Sequence, residues 1–292
     1  MKFSLSARLP FNFLSVVNSH GWRQLAPFSY DESSNTLSYI LGLSNGRVIE
    51  LKLRGTEEGV SVETEKLDAV ERKEVKEKVA WIFGLDMDAS HFYAATRGEP
   101  KLARAKKLAL GRVLRSPTLF EDVIKTILTT NTLWAATKNM TRKLVDELGE
   151  PLPEDTTRKA FPTPEAIAAS SPEFLKERIR VGYRAPAIHQ LAVRVASGQF
   201  DLESFKKSDL PTLVLRKELL SINGVGPYAA ANLLLILRRT DFIPIDSWAL
   251  KLVSHEWYDG KPVTPKEVEK HFDHWGEFKG LAFWFWDWKY KG

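Results

Sequence analysis

Cysteine is absent from the 292-residue sequence. This absence excludes disulfide bonds, thiolate zinc sites, iron–sulfur clusters and a cysteine nucleophile. No apolar run approaches the ~18–20 residues that a membrane span needs. The first eight residues alternate apolar and polar side chains, unlike the continuous apolar core of a signal peptide. We therefore expect a soluble intracellular protein, cytoplasmic or nucleoid-associated in a prokaryote and nuclear in a eukaryote, with no membrane partner.

Two common kinds of ligand site are also missing. The sequence has no Gly-Lys-Ser or Gly-Lys-Thr phosphate loop. Its six histidines are scattered, and the one pair with helical spacing, His271 and His274, has no third candidate ligand nearby. We therefore expect no transition-metal site.

The net charge is modest, at +5, but the basic residues are unevenly spread. Between residues 101 and 115 there are six basic side chains and no acidic one: Lys101, Arg104, Lys106, Lys107, Arg112 and Arg115. Clustering of this kind is typical of a surface that binds a polyanion such as DNA. A solvated helix face gives the same pattern, so charge alone does not decide between the two.

The first 65 residues have the pattern of strands. Apolar and polar residues alternate from Lys2 to Ala7, which is the period of a half-buried strand. Two β-prone runs, residues 37–43 and 47–53, flank Asn45-Gly46, and Asn-Gly in that place is a strong hairpin signal. Residues 59–64 are a further candidate. The sequence therefore predicts a small antiparallel sheet.

From about Lys66 onward, apolar residues recur with helical spacing. Thr118 and Glu121 have the form of a capping box before an apolar stripe. Thr163-Pro164 and Ser171-Pro172 each predict an N-cap followed by a first-turn proline.

These patterns together predict an α+β fold that is mostly α. We expect an N-terminal antiparallel β domain with a following helix over residues 1–85, and a helical domain over residues 86–292. The proline- and acid-rich stretch 150–157 predicts an exposed connection within the helical part.

A glycine-rich turn lies between two apolar helical segments. Gly224-Val225-Gly226 follows one segment, and Pro227 begins the next. Glycine allows positive φ and the close approach of another backbone, and proline suits the first turn of a helix. The amides of the turn then face outward at a helix N-terminus, where a phosphate can bind. A plain corner between two helices of a bundle has the same pattern.

Asp246 lies directly before another predicted helix. Aspartate in that place is a common N-cap. The same carboxylate, held ionised at a helix N-terminus beside an apolar pocket, can stabilise a sugar oxocarbenium ion or orient a water. The structural and the chemical interpretation are compatible.

The order of these segments resembles the helix-hairpin-helix (HhH-GPD) superfamily of DNA glycosylases, in its alkylbase or 3-methyladenine branch. The resemblance covers about residues 86 to 290. The predicted sheet is similar to the N-terminal β domain of that branch and of the 8-oxoguanine branch. Each matching segment is moderately specific alone, and their order and spacing together are strongly specific. The segments are 120–131, Phe161-Pro162-Thr163-Pro164, Gly182-Tyr183-Arg184, the glycine turn, Pro244-Ile245-Asp246 and 275–286.

The resemblance implies roles for the turn and for the aspartate. Asp246 corresponds to the catalytic aspartate, and Gly224, Val225 and Gly226 correspond to a hairpin that binds DNA phosphate. The hairpin carbonyls are implied as a structural Na⁺ or K⁺ site, and no other cofactor is expected. Bifunctional members carry a lysine two residues after the second glycine, where this sequence has Tyr228. Without that amine no Schiff base with the sugar forms there, so lyase activity is not expected.

Asn131 corresponds to the Gln or Asn that enters the duplex beside the extruded nucleotide. A glycosylase must take its target base out of the stack, and something must occupy the gap. The sequence has Thr129-Thr130-Asn131 where a Gln-Gln pair is commoner. An asparagine that merely ends a helix is the structural alternative.

Three residues are candidates for a base pocket: Tyr228, Asn232 and Phe278. An N-alkylated purine is already a cationic leaving group, so a pocket for it needs π surface more than an acid, and the two aromatic residues offer that surface. Asn232 lies one turn after Tyr228 on the same helical face and could hydrogen-bond a base edge. Core packing is the alternative for each, as it is for the four tryptophans at residues 275, 284, 286 and 288.

The sequence therefore predicts a monofunctional DNA N-glycosylase of base excision repair. We expect it to hydrolyse the glycosidic bond of damaged purines, alkylated ones such as 3-methyladenine, and to act as a monomer on double-stranded DNA. One alternative is a glycosylase for uracil, hypoxanthine or a mispaired base, which would need donors to the base edge because neutral bases leave poorly. The other is a non-catalytic reader of DNA damage or shape. Asp246 counts against that reader, because phosphate binding has no use for a carboxylate.

Overall fold

The N-terminal part of the chain forms an antiparallel sheet in the computed structural model, which describes residues 1–286 and 288. The strands are β1 (Lys2–Ser6), β2 (Phe28–Asp31), β3 (Thr36–Gly42), β4 (Val48–Gly55), β5 (Gly59–Glu63), β6 (Pro151–Leu152) and β7 (Asp155–Lys159). Five of them form a sheet in the order β1-β5-β4-β3-β2, in which neighbours are antiparallel. The remaining two form a separate ribbon.

The hairpin predicted at Asn45-Gly46 joins β3 to β4. Gly46 has a φ of 86°, which glycine adopts without strain, and the N–H of Leu43 donates to the carbonyl of Arg47 at 2.8 Å. This turn sets a register in which Leu37 lies opposite Leu53. Both leucines are fully buried, so the hairpin packs part of the sheet into the core.

Beyond the sheet the chain is mostly helical, which confirms the α+β, mostly α fold class. The α-helices are α1 (Phe13–Val17), α2 (Ala69–Phe83), α3 (Ser90–Ala95), α4 (Leu119–Thr129), α5 (Trp134–Leu148), α6 (Pro164–Ala168), α7 (Pro172–Phe174), α8 (Ala185–Ala196), α9 (Thr212–Leu220), α10 (Pro227–Ile236), α11 (Ser247–Trp257), α12 (Pro265–Phe272) and α13 (Lys279–Trp284). No helix within residues 1–286 and 288 is long and apolar enough to cross a membrane.

The predicted helix starts differ in how fully they form. Thr163 and Ser171 cap α6 and α7 as expected, each with a proline in the first turn. Thr118 also caps α4, accepting from the N–H of Glu121 at 3.2 Å. The reciprocal half of the predicted capping box is wrong, because the carboxylate of Glu121 accepts instead from the hydroxyl of Tyr39 at 2.6 Å.

The stretch 150–157, predicted as an exposed connection, is exposed at most of its positions, but it also forms strands. That stretch contributes to the β6–β7 ribbon, where Leu152 is buried in one cluster with Ile40 and Val48 of the sheet. Arg158 adds an ion pair with Glu50 at 2.6 Å. Proline and acidic residues mark the turn correctly, but they do not reveal that it packs on strands a hundred residues away.

The chain divides into two compact units. The first unit comprises residues 1–88 and 112–204 and contains both sheets with α1, α2 and α4 to α8. The second comprises residues 89–111 and the described residues from 205 onward, with α3 and α9 to α13. The first unit groups the sheet with helices from both sides of residue 85. The domain boundary expected at that residue stays a prediction.

A buried polar network connects α4 to the N-terminal segments of the first unit. Lys125 lies 2.6 Å from Glu121, which also accepts the Tyr39 hydrogen bond from β3. One turn of 3₁₀-helix at Gly21–Gln24 contributes Trp22, whose Nε1 donates to Asp122 at 2.7 Å. These side chains are all buried. Buried charges are tolerated when they are paired and hydrogen-bonded, so this network fixes how α4 packs on the sheet.

Candidate active site

Asp246 is the N-cap of α11. Its backbone is extended, with φ −129° and ψ −170°, and its Oδ1 accepts from the N–H groups of Trp248 and Ala249, both at 2.9 Å. Within residues 1–286 and 288, no group donates a hydrogen bond to its second oxygen, Oδ2. The side chain is exposed. The helix N-terminus stabilises the carboxylate charge, and one oxygen remains open to a ligand.

The glycine turn leads into α10 and has an open outer surface. Gly224 has a φ of 85°, so this position favours glycine. Gly226 is the N-cap of α10 with a φ of −90°, and a Cβ built there would meet nothing within 4 Å. The fold therefore does not require glycine at residue 226. The free space lies at the N-terminus of a ten-residue helix, where an anion is favoured.

The carbonyl side of the same turn is compatible with a monovalent cation. Val225 is buried and its N–H donates to the carbonyl of Ile222 at 3.0 Å. That oxygen keeps a second lone pair, so it could be one ligand of the Na⁺ or K⁺ that the resemblance implies. The cation stays a prediction. Separately, no three His, Asp or Glu side chains gather into a metal-binding group in the part of the chain that the structure describes.

Tyr228 and Asn232 lie one turn apart on α10. The Nδ2 of Asn232 donates to the backbone carbonyl of Tyr228 at 3.1 Å, and Asn232 is only 9% exposed. The Tyr228 side chain is half-buried. One donor of the Asn232 amide is therefore used within the helix. A hydrogen bond from Asn232 to a base edge stays a prediction.

Phe278 precedes α13 and packs on an aromatic ring of the same unit. Its ring centroid lies 6.0 Å from that of Phe92, which is fully buried. Trp248 offers a further ring that sequence patterns do not single out: it is 51% exposed and rests edge-on against Phe283 at 5.5 Å. The one signal for Trp248 in the sequence is its place two residues after Asp246.

Asn131 belongs to the first unit, at the turn between α4 and α5. It is exposed and has a φ of 47°, a conformation that asparagine tolerates better than most residues. Its Nδ2 donates to the Tyr183 hydroxyl at 3.2 Å. Arg184, 7% exposed, donates to the carbonyls of Ile127, Thr130 and Asn131. The Asn131 side chain is thus exposed on a turn whose backbone is fixed by hydrogen bonds from Arg184.

The basic stretch at residues 101–115, for which the sequence left a DNA-binding surface and a solvated helix face open, is not exposed as a whole. Arg112 and Arg115 are buried in the first unit. Arg112 donates to four backbone carbonyls, those of Arg8, Pro10, Gly84 and Met87, because one guanidinium can satisfy several loop carbonyls at once. In the second unit Lys101 pairs with Glu256 at 2.7 Å. Three basic side chains are left exposed: Arg104, Lys106 and Lys107.

Solved structures with this fold include two DNA glycosylases. The 3-methyladenine DNA glycosylase from Archaeoglobus fulgidus has a TM-score of 0.75 at 20% identity, covering 98% of this chain and 97% of that chain. The Clostridium acetobutylicum 8-oxoguanine glycosylase/lyase, in complex with double-stranded DNA, has a TM-score of 0.74 at 20% identity, covering 99% and 96%. At these identities the likeness establishes the fold.

Sequence comparison adds a relative and a family. A curated protein from Methanothermobacter thermautotrophicus, described as a probable N-glycosylase/DNA lyase, is 26% identical over 209 residues. The match covers 64% of this chain and 65% of that protein, so this chain spans a little less than two thirds of the relative. The family model described as HhH-GPD superfamily base excision DNA repair protein matches residues 124–277, just over half of the chain. This protein belongs to the HhH-GPD superfamily of base excision DNA repair proteins.

Proposed function

We propose that this protein is a monofunctional DNA N-glycosylase, which hydrolyses the glycosidic bond of alkylated purines such as 3-methyladenine and leaves an abasic site. The observation that carries the proposal is the hydrogen bonding of the two carboxylate oxygens of Asp246. Two backbone amides hold one of its oxygens while the other is free of hydrogen bonds from the described residues. A carboxylate fixed in this way needs no reorganisation when positive charge develops beside it.

Tyr228 supports hydrolysis over strand cleavage. Lyase chemistry needs an amine that attacks C1′ of the sugar and forms a Schiff base, and the residue at the corresponding position is a tyrosine. The proposal differs here from the M. thermautotrophicus relative, which is described as a probable N-glycosylase/DNA lyase. Strand cleavage therefore has to be measured directly.

Aromatic surface supports an alkylated purine as the substrate. Tyr228 and Phe278 are half-buried, and Trp248 exposes half of its surface two residues after Asp246. The face of an aromatic ring attracts a cation by roughly 0.5–2 kcal/mol. A purine alkylated at N3 or N7 carries a positive charge that its normal counterpart lacks, so such rings favour the damaged base.

The proposed reaction proceeds in four steps. The amides of Gly224 and Gly226 bind a DNA phosphate, whereas that of Val225 is used within the turn. The target nucleotide leaves the stack with Asn131 at the gap. The bond between C1′ and the base nitrogen then breaks, and its electron pair neutralises the cationic base. Asp246 stabilises the oxocarbenium ion until a water adds to C1′ and loses a proton, which gives the abasic sugar. Little acid assistance is needed, because the base departs as a neutral molecule.

The test is mass spectrometry of the bases released from methylated genomic DNA, with gel analysis of the same DNA. We expect free 3-methyladenine, abasic sites that break only on alkali treatment, and no adduct trapped by borohydride. Matched duplexes that contain uracil, hypoxanthine or 8-oxoguanine measure the competing substrates, and preferential release of one of these would reassign the lesion. Binding to an abasic analogue without release of any base would identify a non-catalytic damage reader.

A further inference from the structure

Trp134 lies against Gly21 at the start of α5. A Cβ on Gly21 would come within 2.2 Å of Cζ2 and 2.4 Å of Cη2 of the Trp134 indole, which is closer than any side chain can tolerate. The indole Nε1 also donates to Oε1 of Gln24 at 3.1 Å. The ring therefore occupies a seat that exists only because residue 21 has no side chain.

The segment that provides this seat is fixed independently. Trp22, next to Gly21, is buried and bonded to Asp122 in the core. His20 lies with its Nε2 2.6 Å from the carbonyl of Leu114. The residues on both sides of Gly21 are thus held by hydrogen bonds to other segments of the first unit, so the seat cannot shift without breaking them.

Trp134 directly follows the turn that carries Asn131. Asn131 and Leu133 are exposed, Leu133 by 80%, more than any other large apolar residue in the described chain. Arg184 holds the turn at its α4 side through the carbonyls of Thr130 and Asn131. Trp134 is the corresponding anchor at the α5 side. The side chains at the tip are therefore exposed although the backbone at both ends is held.

We propose that Trp134 is a positioning residue for nucleotide extrusion, and that the N-terminal segment at Gly21–Gln24 acts in the reaction by holding it. The proposal rests on the function proposed above, in which Asn131 stands at the gap left by the extruded nucleotide. A turn that enters a duplex must keep one conformation while it displaces stacked bases. Fixing a mobile turn in one conformation costs conformational entropy. Because Trp134 and Arg184 order the turn when the protein folds, that entropy is not lost during the extrusion step.

The test compares one reaction on two duplexes. In the first duplex the damaged base faces its normal partner. In the second it faces an abasic analogue, so it is already unpaired and less work is needed to extrude it. Single-turnover excision rates are measured for wild type, Gly21→Ala, Gln24→Ala, Trp134→Phe and Trp134→Ala, together with the thermal unfolding midpoint of each. Gly42→Ala is the matched control. Gly42 lies in the same unit as Gly21, and a Cβ on it would meet only Ala160, at an ordinary 3.8 Å.

We expect Gly21→Ala and Trp134→Ala to lose about 10- to 100-fold in rate on the paired duplex, the scale of a misplaced element far from the chemistry, and about threefold or less on the unpaired one. Trp134→Phe, which keeps a ring in the seat, and Gln24→Ala should fall between these variants and wild type. Gly42→Ala should match wild type on both duplexes.

Three results separate the possible failures. Equal losses on the two duplexes would overturn the proposal, because a general loss of folded protein does not depend on pairing of the target. Unchanged rates for Gly21→Ala and Trp134→Ala would overturn it as well. If wild type itself releases no base from either duplex, the proposed glycosylase function fails, which is a different outcome.

Discussion

Trp22 donates a hydrogen bond from Nε1 to Oδ1 of Asp122 at 2.7 Å, across 100 residues of chain and inside the core of the first unit. The same oxygen accepts from the N–H of Ser116 at 2.9 Å. The second oxygen of Asp122, Oδ2, is buried without a hydrogen-bond partner among the described residues. Burial raises the pKa of Asp122 from 3.8 to about 7, and the two hydrogen bonds offset only part of that effect.

This pKa predicts that Asp122 makes stability fall as pH rises. Below pH 3.8 both folded and unfolded states are protonated at this carboxyl. Between pH 3.8 and about 7 the unfolded state releases the proton while the folded state keeps it. Over this window Asp122 lowers the free energy of unfolding by about 4 kcal/mol at most, since one pKa unit corresponds to ~1.4 kcal/mol. Asp122→Asn cannot ionise, so its unfolding free energy relative to wild type should rise from pH 4 to pH 8.

Urea unfolding at a series of pH values measures this difference. Asparagine keeps an acceptor for Trp22 and Ser116, and His20 is present in both proteins and cancels from the comparison. Asp209→Asn, which removes a carboxylate at an exposed position, is the control for the substitution itself. A flat difference for Asp122→Asn would show that the carboxyl is not protonated in the folded protein near neutral pH.

Replacing Asp246 by asparagine should separate catalysis from folding. Asparagine caps a helix about as well as aspartate, so the unfolding free energy should change by less than about 1 kcal/mol. Loss of the negative charge should reduce the single-turnover excision rate by at least ~10²–10⁴-fold, while affinity for duplex DNA is retained. Asp209→Asn again serves as control. Near-wild-type excision by Asp246→Asn would remove this residue from the mechanism.

Gly226→Ala tests the phosphate site without disturbing the fold. The φ of −90° suits alanine and the new Cβ would meet open space, so stability should stay within about 1 kcal/mol of wild type. A methyl group at the anion site should weaken duplex binding by about tenfold, or ~1.4 kcal/mol. Gly224→Ala should lose both stability and binding, because its φ of 85° is strained for alanine. Unchanged DNA affinity in Gly226→Ala would show that no DNA phosphate binds at Gly226.

Tyr228 should contribute to excision through its ring. Tyr228→Phe keeps the π surface and should retain most of the 3-methyladenine excision rate. Tyr228→Leu keeps an apolar side chain without that surface, and should lose about 2- to 30-fold, which corresponds to ~0.5–2 kcal/mol for a cation over a ring. Rates on a duplex with a neutral lesion are the internal comparison. A loss of the same size on the neutral lesion would assign the ring a packing role instead.

Local sequence patterns predict the elements whose hydrogen bonds join residues close together in the chain. Asn45-Gly46 forms the predicted hairpin, and Thr163, Ser171 and Asp246 cap helices as their spacing indicates. Each of these structures is closed by hydrogen bonds over a few residues, so a short window of sequence contains all of its determinants.

Charge was the least reliable guide to position. Arg112 and Arg115 belong to a basic run for which the sequence indicates either a DNA-binding surface or a solvated helix face, yet both are buried. Glu121 has the spacing of a capping box, yet it bonds to Tyr39, 82 residues away. A charged side chain carries no local sign of a distant partner, so its burial follows from which segments the fold brings together.

The sequence by itself determined the fold class, the helix caps, the glycine turn and membership of the superfamily, because these rest on periodicity, backbone preference and the order of short motifs. Only the tertiary structure decided that Asp246 keeps one oxygen free, that Gly226 faces open space, and that Trp134 sits over Gly21. These features depend on excluded volume and on hydrogen bonds between segments far apart in the chain, which become defined only when the chain is packed.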